Sequence, residues 1–191
     1  MDPPVVYIER EPFLNMLMAA VDTFKRECFG YFFGLKPSRV RKNYIITNAV
    51  AVQSTIKRAN TEVKISKGCH ERLNKVLLSW YPKLYPSLGH FHSHPEWGSI
   101  PGSHEMSDDD IKKMACSDSE ISIIIKILSR KRERLEWVNK SDRGIKGSYG
   151  DYVIDMNVYR IQKDQTIPES LQIVTPAAIK ALNRENMKKL R

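Results

Sequence analysis

The strongest constraint in this chain is the order in which its hydrophobic periodicities alternate. Val5–Ile8 is a β-branched run and predicts a first strand. Phe13, Leu14, Met16, Leu17, Ala20, Val21 and Phe24 then recur three and four apart, predicting an amphipathic helix over 11–26. Cys28–Gly34 is apolar and punctuated by glycine, the pattern of a buried strand, and a polar turn follows over 36–43. Further strands are expected at 44–52 and 62–65, then a helix over 70–80 with Leu73, Val76, Leu77 and Trp80 on one face, ended by Pro82. Leu88–His94 predicts a strand, Ser107–Met114 a short helix, and Ile121–Leu128 with Arg134–Val138 a hairpin across the charged connection Ser129–Arg132. Asp151–Tyr159 alternates as a last strand, and a basic amphipathic helix, Pro176–Leu190, closes the chain. A doubly wound parallel fold needs steady strand–helix alternation. This mixed order instead predicts an α/β (α+β) chain, a central mixed, largely antiparallel sheet flanked by helices.

At 191 residues, one domain is expected, with 1–165 as its body and 166–191 as a basic helical extension. A hydrophobic content of 41% with 28% charged residues excludes collagen-like and low-complexity classes. No apolar run approaches the ~18 residues of a membrane span, and acids stand near the N-terminus where a signal peptide carries cations. Three scattered cysteines without CxxC argue against a disulfide framework and against a Cys-rich metal site. Together these predict a reduced, cytoplasmic protein with no membrane partner. The net charge of +9 favours an acidic partner. Its cations are dispersed and not interleaved with aromatics, so nucleic acid is not the expected one.

Coordinating chemistry concentrates in His90-Phe-His92-Ser-His94-Pro95 and Ser107-Asp-Asp-Asp110. Histidines two apart on a strand share a face, so His92 and His94 can present both imidazoles to one ion. Asp110 can complete the set, and Asp108 and Asp109 offer the same donor beside it. His90 lies on the same face but about 6.6 Å further along the strand from His92, which predicts a supporting or packing role. Other zinc signatures fail on spacing. His70-Glu71 and His104-Glu105 lack the second histidine of HExxH, and His94-Pro95-Glu96 lacks the cysteine pair of the nucleobase deaminases. Ser107-x-x-Asp110 is also a capping box that opens many helices.

His92-Ser93-His94-Pro95 followed by Ser107-Asp108-Asp109-Asp110 resembles the HxHP…SxxD core of the JAMM (MPN+, JAB) metalloproteases. Glu27-Cys-Phe-Gly30-Tyr-Phe-Phe-Gly34 is similar to that family's E-x-x-G-x-x-x-G strand. The resemblance covers residues 5 to about 160 and implies a single MPN/JAB-type domain with a cytidine-deaminase-like arrangement. It implies Zn²⁺ on His92, His94 and Asp110, with Glu27 as general base and Ser107 as donor to the oxyanion. The implied reaction is deubiquitinase-like hydrolysis of a peptide or isopeptide bond after the C-terminal tail of a ubiquitin-like or sulfur-carrier protein. A partner protein or self-association is possible in such a family. The sequence departs from the pattern at His90, where relatives usually have an aromatic residue, and in a longer spacer, Pro95–Met106. That spacer is expected to wall the substrate groove. The alternatives are a non-catalytic MPN scaffold and a nucleic-acid or repair-associated JAB protein.

Overall fold

The computed structural model describes residues 3–53, 55–58, 63–65, 67–80, 82, 87–117, 119–129, 134–162 and 165–188. The expected connection at 130–132, residue 62 of the expected fourth strand, the basic end at 189–191 and the side chains of Leu77 and Trp80 lie outside the described residues.

The chain is mixed α/β with a core that is mostly sheet. Among the described residues the large sheet has ten strands: β1 (Val6–Ile8), β2 (Phe29–Leu35), β3 (Tyr44–Ala51), β6 (Gly89–Pro95), β7 (Ile121–Ser129), β8 (Val138–Asn139), β9 (Ile145–Tyr149), β10 (Tyr152–Arg160), β11 (Glu169–Leu171) and β12 (Ile173–Val174). Nine of them run in the order β12-β1-β3-β2-β6-β7-β10-β9-β8, and β11 pairs with β10. A separate antiparallel pair, β4 (Thr55–Arg58) and β5 (Val63–Ile65), leads into α2 (Lys67–Trp80). Within the large sheet only β1–β12, β1–β3 and β6–β7 are parallel, so the sheet is mixed and largely antiparallel as expected.

The apolar stripe of α1 (Arg10–Asp22) buries Phe13, Met16, Leu17 and Ala20 against this sheet. Phe13 meets Trp137 edge-on at 5.6 Å. The helix stops four residues short of the expected 26. Thr23 and Phe24 close it with backbone bonds to Ala19 and Val21, and Lys25 takes φ 72, which no helix continues through. That early stop lets residues 26–28 run on into β2.

The hairpin expected between 121–128 and 134–138 does not form. β7 pairs with β6 on one side and with β10 on the other, along eight residues from Tyr152↔Ser129 to Tyr159↔Ser122. Residues 134–137 instead lie against β9 and the last helix, where Ser148 Oγ accepts from the Leu135 N–H and Asn183 Oδ1 from that of Trp137. An all-isoleucine stretch such as Ile123-Ile-Ile125 is buried on both faces, and only a central strand provides that.

The segment expected as an extension after 165 is built into the same sheet and core. β11 and β12 pair with β10 and β1, and α4 (Pro176–Lys188) buries Ala178 and Leu182 in the main cluster. Among the described residues, no helix is long and apolar enough to cross a membrane.

Candidate metal centre

β6 is the central strand that carries the site. It is held by β2 with Phe29 opposite His92, and by β7 on its other edge. The strand's period of two divides its side chains between faces. Phe91 enters the fully buried core, while His90, His92 and His94 share the opposite face. Gly30 makes this packing feasible, because a Cβ there would lie 2.3 Å from the Phe91 ring.

Two steps back along β2 and two forward along β6 continue the register to place Glu27 across from His94. The backbone holds that extension: Cys28 N–H donates to Ser93 Oγ at 2.8 Å, and Ser93 N–H to the Cys28 carbonyl at 3.3 Å. Glu27 is buried and lines one cavity together with His94, Ser107 and Asp110.

α3 (Asp108–Ala115) supplies the carboxylate. Ser107 caps it reciprocally: its Oγ accepts from the Asp110 N–H at 3.2 Å, and its own N–H donates to Asp110 Oδ2 at 2.9 Å. The Ser107 hydroxyl also donates to Asp110 Oδ2 at 2.6 Å. The cap therefore aims the aspartate. Asp108 and Asp109 are exposed, whereas Asp110 is buried and points at the histidines.

His92, His94 and Asp110 each offer a donor atom within 4.8 Å of the others. The separations are 3.0 Å between the two Nε2 atoms, 3.2 Å from His92 Nε2 to Asp110 Oδ1, and 3.5 Å from His94 Nε2 to Asp110 Oδ2. Ligands about 2.0–2.1 Å from a tetrahedral ion are about 3.3 Å apart, so these residues fit a single small metal ion. The Ser103 carbonyl, which can only accept, receives a hydrogen bond from His94 Nδ1–H at 3.1 Å. That bond turns His94 Nε2 toward the cluster.

The electrostatics follow from burial and from Asp110. Burial lowers the pKa of His92, with hydrogen bonding to Asp110 opposing it. Burial also works against charge on His94, but Asp110 and Glu27 outweigh it and the pKa rises. Burial alone would raise the Asp110 pKa. The hydrogen bonds from His92, His94 and Ser107 drive it far below the usual carboxylate range. A carboxylate is thus held ionised against two imidazoles, the donor set of an N,N,O metal site.

His90 lies outside the donor set. Its ring is stacked between Phe29 at 5.5 Å and His92 at 6.0 Å, with Ser119 and Ser122 hydroxyls on its nitrogens at 3.2 Å. The supporting role expected from strand spacing agrees with this placement.

The cavity has a volume of about 640 Å³. The spacer forms much of its wall through Pro95, Trp97, Ile100, Pro101 and Met106. Two contributors escaped the sequence reading. Ser103 acts through its backbone, and Tyr159 on β10 donates to the His104 carbonyl at 2.9 Å, pinning the foot of the spacer. No side-chain pattern marks a carbonyl acceptor, and Tyr159 is 55 residues from its partner.

No family model and no curated protein matches this chain. Among solved structures it is similar to the solution structure of protein DSY2949 from Desulfitobacterium hafniense. The TM-score is 0.54 at 17% identity, over 90% of this chain and 92% of that one. At that identity the likeness concerns the fold, a mixed α/β chain around a mostly sheet core.

Proposed function

We propose that the protein is a zinc-dependent hydrolase of the JAMM type, built on an MPN-like, cytidine-deaminase-like domain. It cuts a peptide or isopeptide bond after the C-terminal tail of a ubiquitin-like or sulfur-carrier protein. One observation carries this reading: an acid from the chain before β2, Glu27, shares a cavity with His94, Asp110 and Ser107. Structural zinc sites are closed by four protein ligands, whereas three ligands beside an open cavity suit catalysis.

His92 Nε2, His94 Nε2 and an Asp110 carboxylate oxygen would hold the ion. Zinc bound there would supply a Lewis acid that polarises the scissile carbonyl and makes water more acidic. Glu27 takes a proton from the attacking water and returns it to the departing amine nitrogen, the double role of a positioned general base. Ser107 turns its hydroxyl proton from Asp110 to the developing oxyanion, while its backbone N–H keeps hold of the aspartate. The spacer walls the groove through which an extended tail approaches.

The test combines metal analysis with a panel of ubiquitin-like fusions, using the wild type and Glu27→Gln. The expected result is about one zinc per chain in both proteins. Turnover should be lower in the variant by about 10²–10⁴-fold. Absence of zinc uptake near neutral pH, or full turnover by Glu27→Gln, overturns the reading.

A further inference from the structure

The cavity at the candidate metal centre is lined by polar groups, among them Glu27, His94, Ser107, Asp110 and, on the spacer, Ser103 and Glu105, together with apolar side chains of the spacer. Two of these apolar side chains are large and exposed, Trp97 at 58% and Ile100 at 61%. Scattered exposed apolar residues need no explanation, but this pair is not scattered.

Trp97 and Ile100 are opposed across a tight turn and exchange both backbone hydrogen bonds, at 2.9 Å each. Gly98 takes φ +59 at the first central position, the mark of a type II′ turn. Residues opposed in this way put their side chains on one face. The turn is stiff at its tip and anchored at its foot, where His94 Nδ1 and the Tyr159 hydroxyl bond to the Ser103 and His104 carbonyls. A Cβ on Gly102 would lie 2.0 Å from the His94 carbonyl oxygen, so the spacer is pressed against β6 there. Two apolar side chains are therefore held in the cavity that also contains His94 and Asp110.

We propose that Trp97 and Ile100 form a specificity subsite for a large apolar side chain, carried by the residue of the polypeptide substrate that flanks the cut bond. This rests on the hydrolase reading and narrows it. A tail of small residues alone would leave the wall in water. A Leu- or Phe-sized group covers it and gains the free energy of apolar burial. The aromatic ring offers a large contact area with little conformational freedom to lose. Ligand sites commonly join such apolar side chains to a few orienting polar groups.

Amino-acid hydroxamates test the subsite without turnover, because the hydroxamate chelates zinc and the side chain probes the wall. With zinc-loaded protein, calorimetry is expected to show phenylalanine hydroxamate binding at least about tenfold tighter than glycine hydroxamate, the benzyl group being the difference. Trp97→Ser and Ile100→Ser should each shrink that ratio, and together bring it within about twofold of unity. Equal affinity of the two hydroxamates for the wild type overturns the subsite. So does a preference that survives both substitutions. Failure of the wild type to take up zinc is a different result: it overturns the hydrolase reading, and the subsite falls with it.

Discussion

Two polar clusters are buried along this sheet, and they solve the same problem in opposite ways. In the first, Asp110 faces His92 and His94. In the second, Asp155 on β10 receives Lys140 Nζ on both oxygens, at 2.8 and 2.9 Å. Lys140 also reaches Asp142 at 2.8 Å, and Asn157 Nδ2 donates to Asp155 Oδ1 at 3.0 Å. A buried carboxylate needs a cation and hydrogen bonds. The second cluster contains its own cation in a lysine. The first gathers imidazole nitrogens whose metal-binding form is neutral. One cluster is closed on itself; the other is a set of donor atoms that could hold a metal ion.

Exchanging the roles of the two aspartates is the hardest test of that contrast. Asp110→Ala should weaken zinc binding by more than about a hundredfold, since ligand loss exceeds the 10–100-fold typical of supporting groups. Asp155→Ala should leave zinc affinity within about twofold but lower unfolding stability by about 1–2 kcal/mol, because Lys140 keeps Asp142 while the buried Asn157 amide loses its acceptor. Chelator competition and urea unfolding read the two quantities. An Asp155→Ala protein that loses zinc, or an Asp110→Ala protein that keeps it, removes the distinction.

Acid separates the clusters next. His90 is buried beside His92, and burial, reinforced by His92, pushes its pKa down to about 4. A folded-state pKa below the unfolded value of 6.5 means the unfolded chain binds the proton first. The stability is thus intact above pH 6.5 and declines as pH falls toward about 4. The full loss is on the order of 3 kcal/mol, and the lowered His92 adds in the same direction. Lys140 responds elsewhere. Burial opposes its charge, but Asp142 and Asp155 raise its pKa, so its contribution persists until pH rises above 10.5. Urea unfolding of metal-free protein should weaken between pH 6.5 and 4.5, and His90→Phe, which keeps an aromatic ring in the stack, should flatten that slope. An unchanged slope in the variant would assign the acid response to other groups.

These clusters also differ in how far the sequence disclosed them. The first was legible because its information is local. His92 and His94 share a face by strand period alone, Ser107 and Asp110 meet through a cap three residues long, and Gly30 stands in the segment that brings Glu27 alongside. The second was not, because Lys140, Asp155 and Asn157 meet only once β10 has found β7 and β9. The hairpin expected for 121–138 failed for the same reason: a run buried on both faces says that it is central without saying which strands flank it. β12 has two residues, Ile173 and Val174, too few for any alternation to show. The early end of α1 was hidden because Phe24 keeps the helical spacing yet packs on Tyr152, at 4.7 Å, from a turn.

Ser107 sits at the border between local structure and chemistry, which makes its effect smaller and divisible. Ser107→Ala removes a cap and should cost about 1 kcal/mol of stability. The backbone N–H to Asp110 survives the substitution, so zinc affinity should fall by less than about tenfold. At saturating zinc, kcat should still fall by about a hundredfold, the usual loss for one oxyanion donor. A variant whose kcat recovers fully once zinc is saturating would reduce Ser107 to a helix cap.

Tyr159 gives the smallest expected change and the finest probe of the comparison, because it stands on β10 with Asp155 but reaches the spacer that orients His94. Burial, with Glu105 and the two aspartates of the lysine cluster nearby, pushes its pKa up to about 12, so the phenol keeps its proton at working pH and donates to the His104 carbonyl. The neighbouring Ser103 carbonyl orients His94. Removing one neutral hydrogen bond costs about 0.5–1.5 kcal/mol. If that loss passes through the spacer to His94, Tyr159→Phe should weaken zinc binding by about fivefold while the ring, retained, preserves the packing of β10. The ¹⁵N shifts of His94 in metal-free protein should move toward a mixture of tautomers, a signature that a general loss of stability does not produce. Unchanged shifts with an unchanged zinc affinity would show the spacer holding His94 without help from β10, and the two clusters would then be independent.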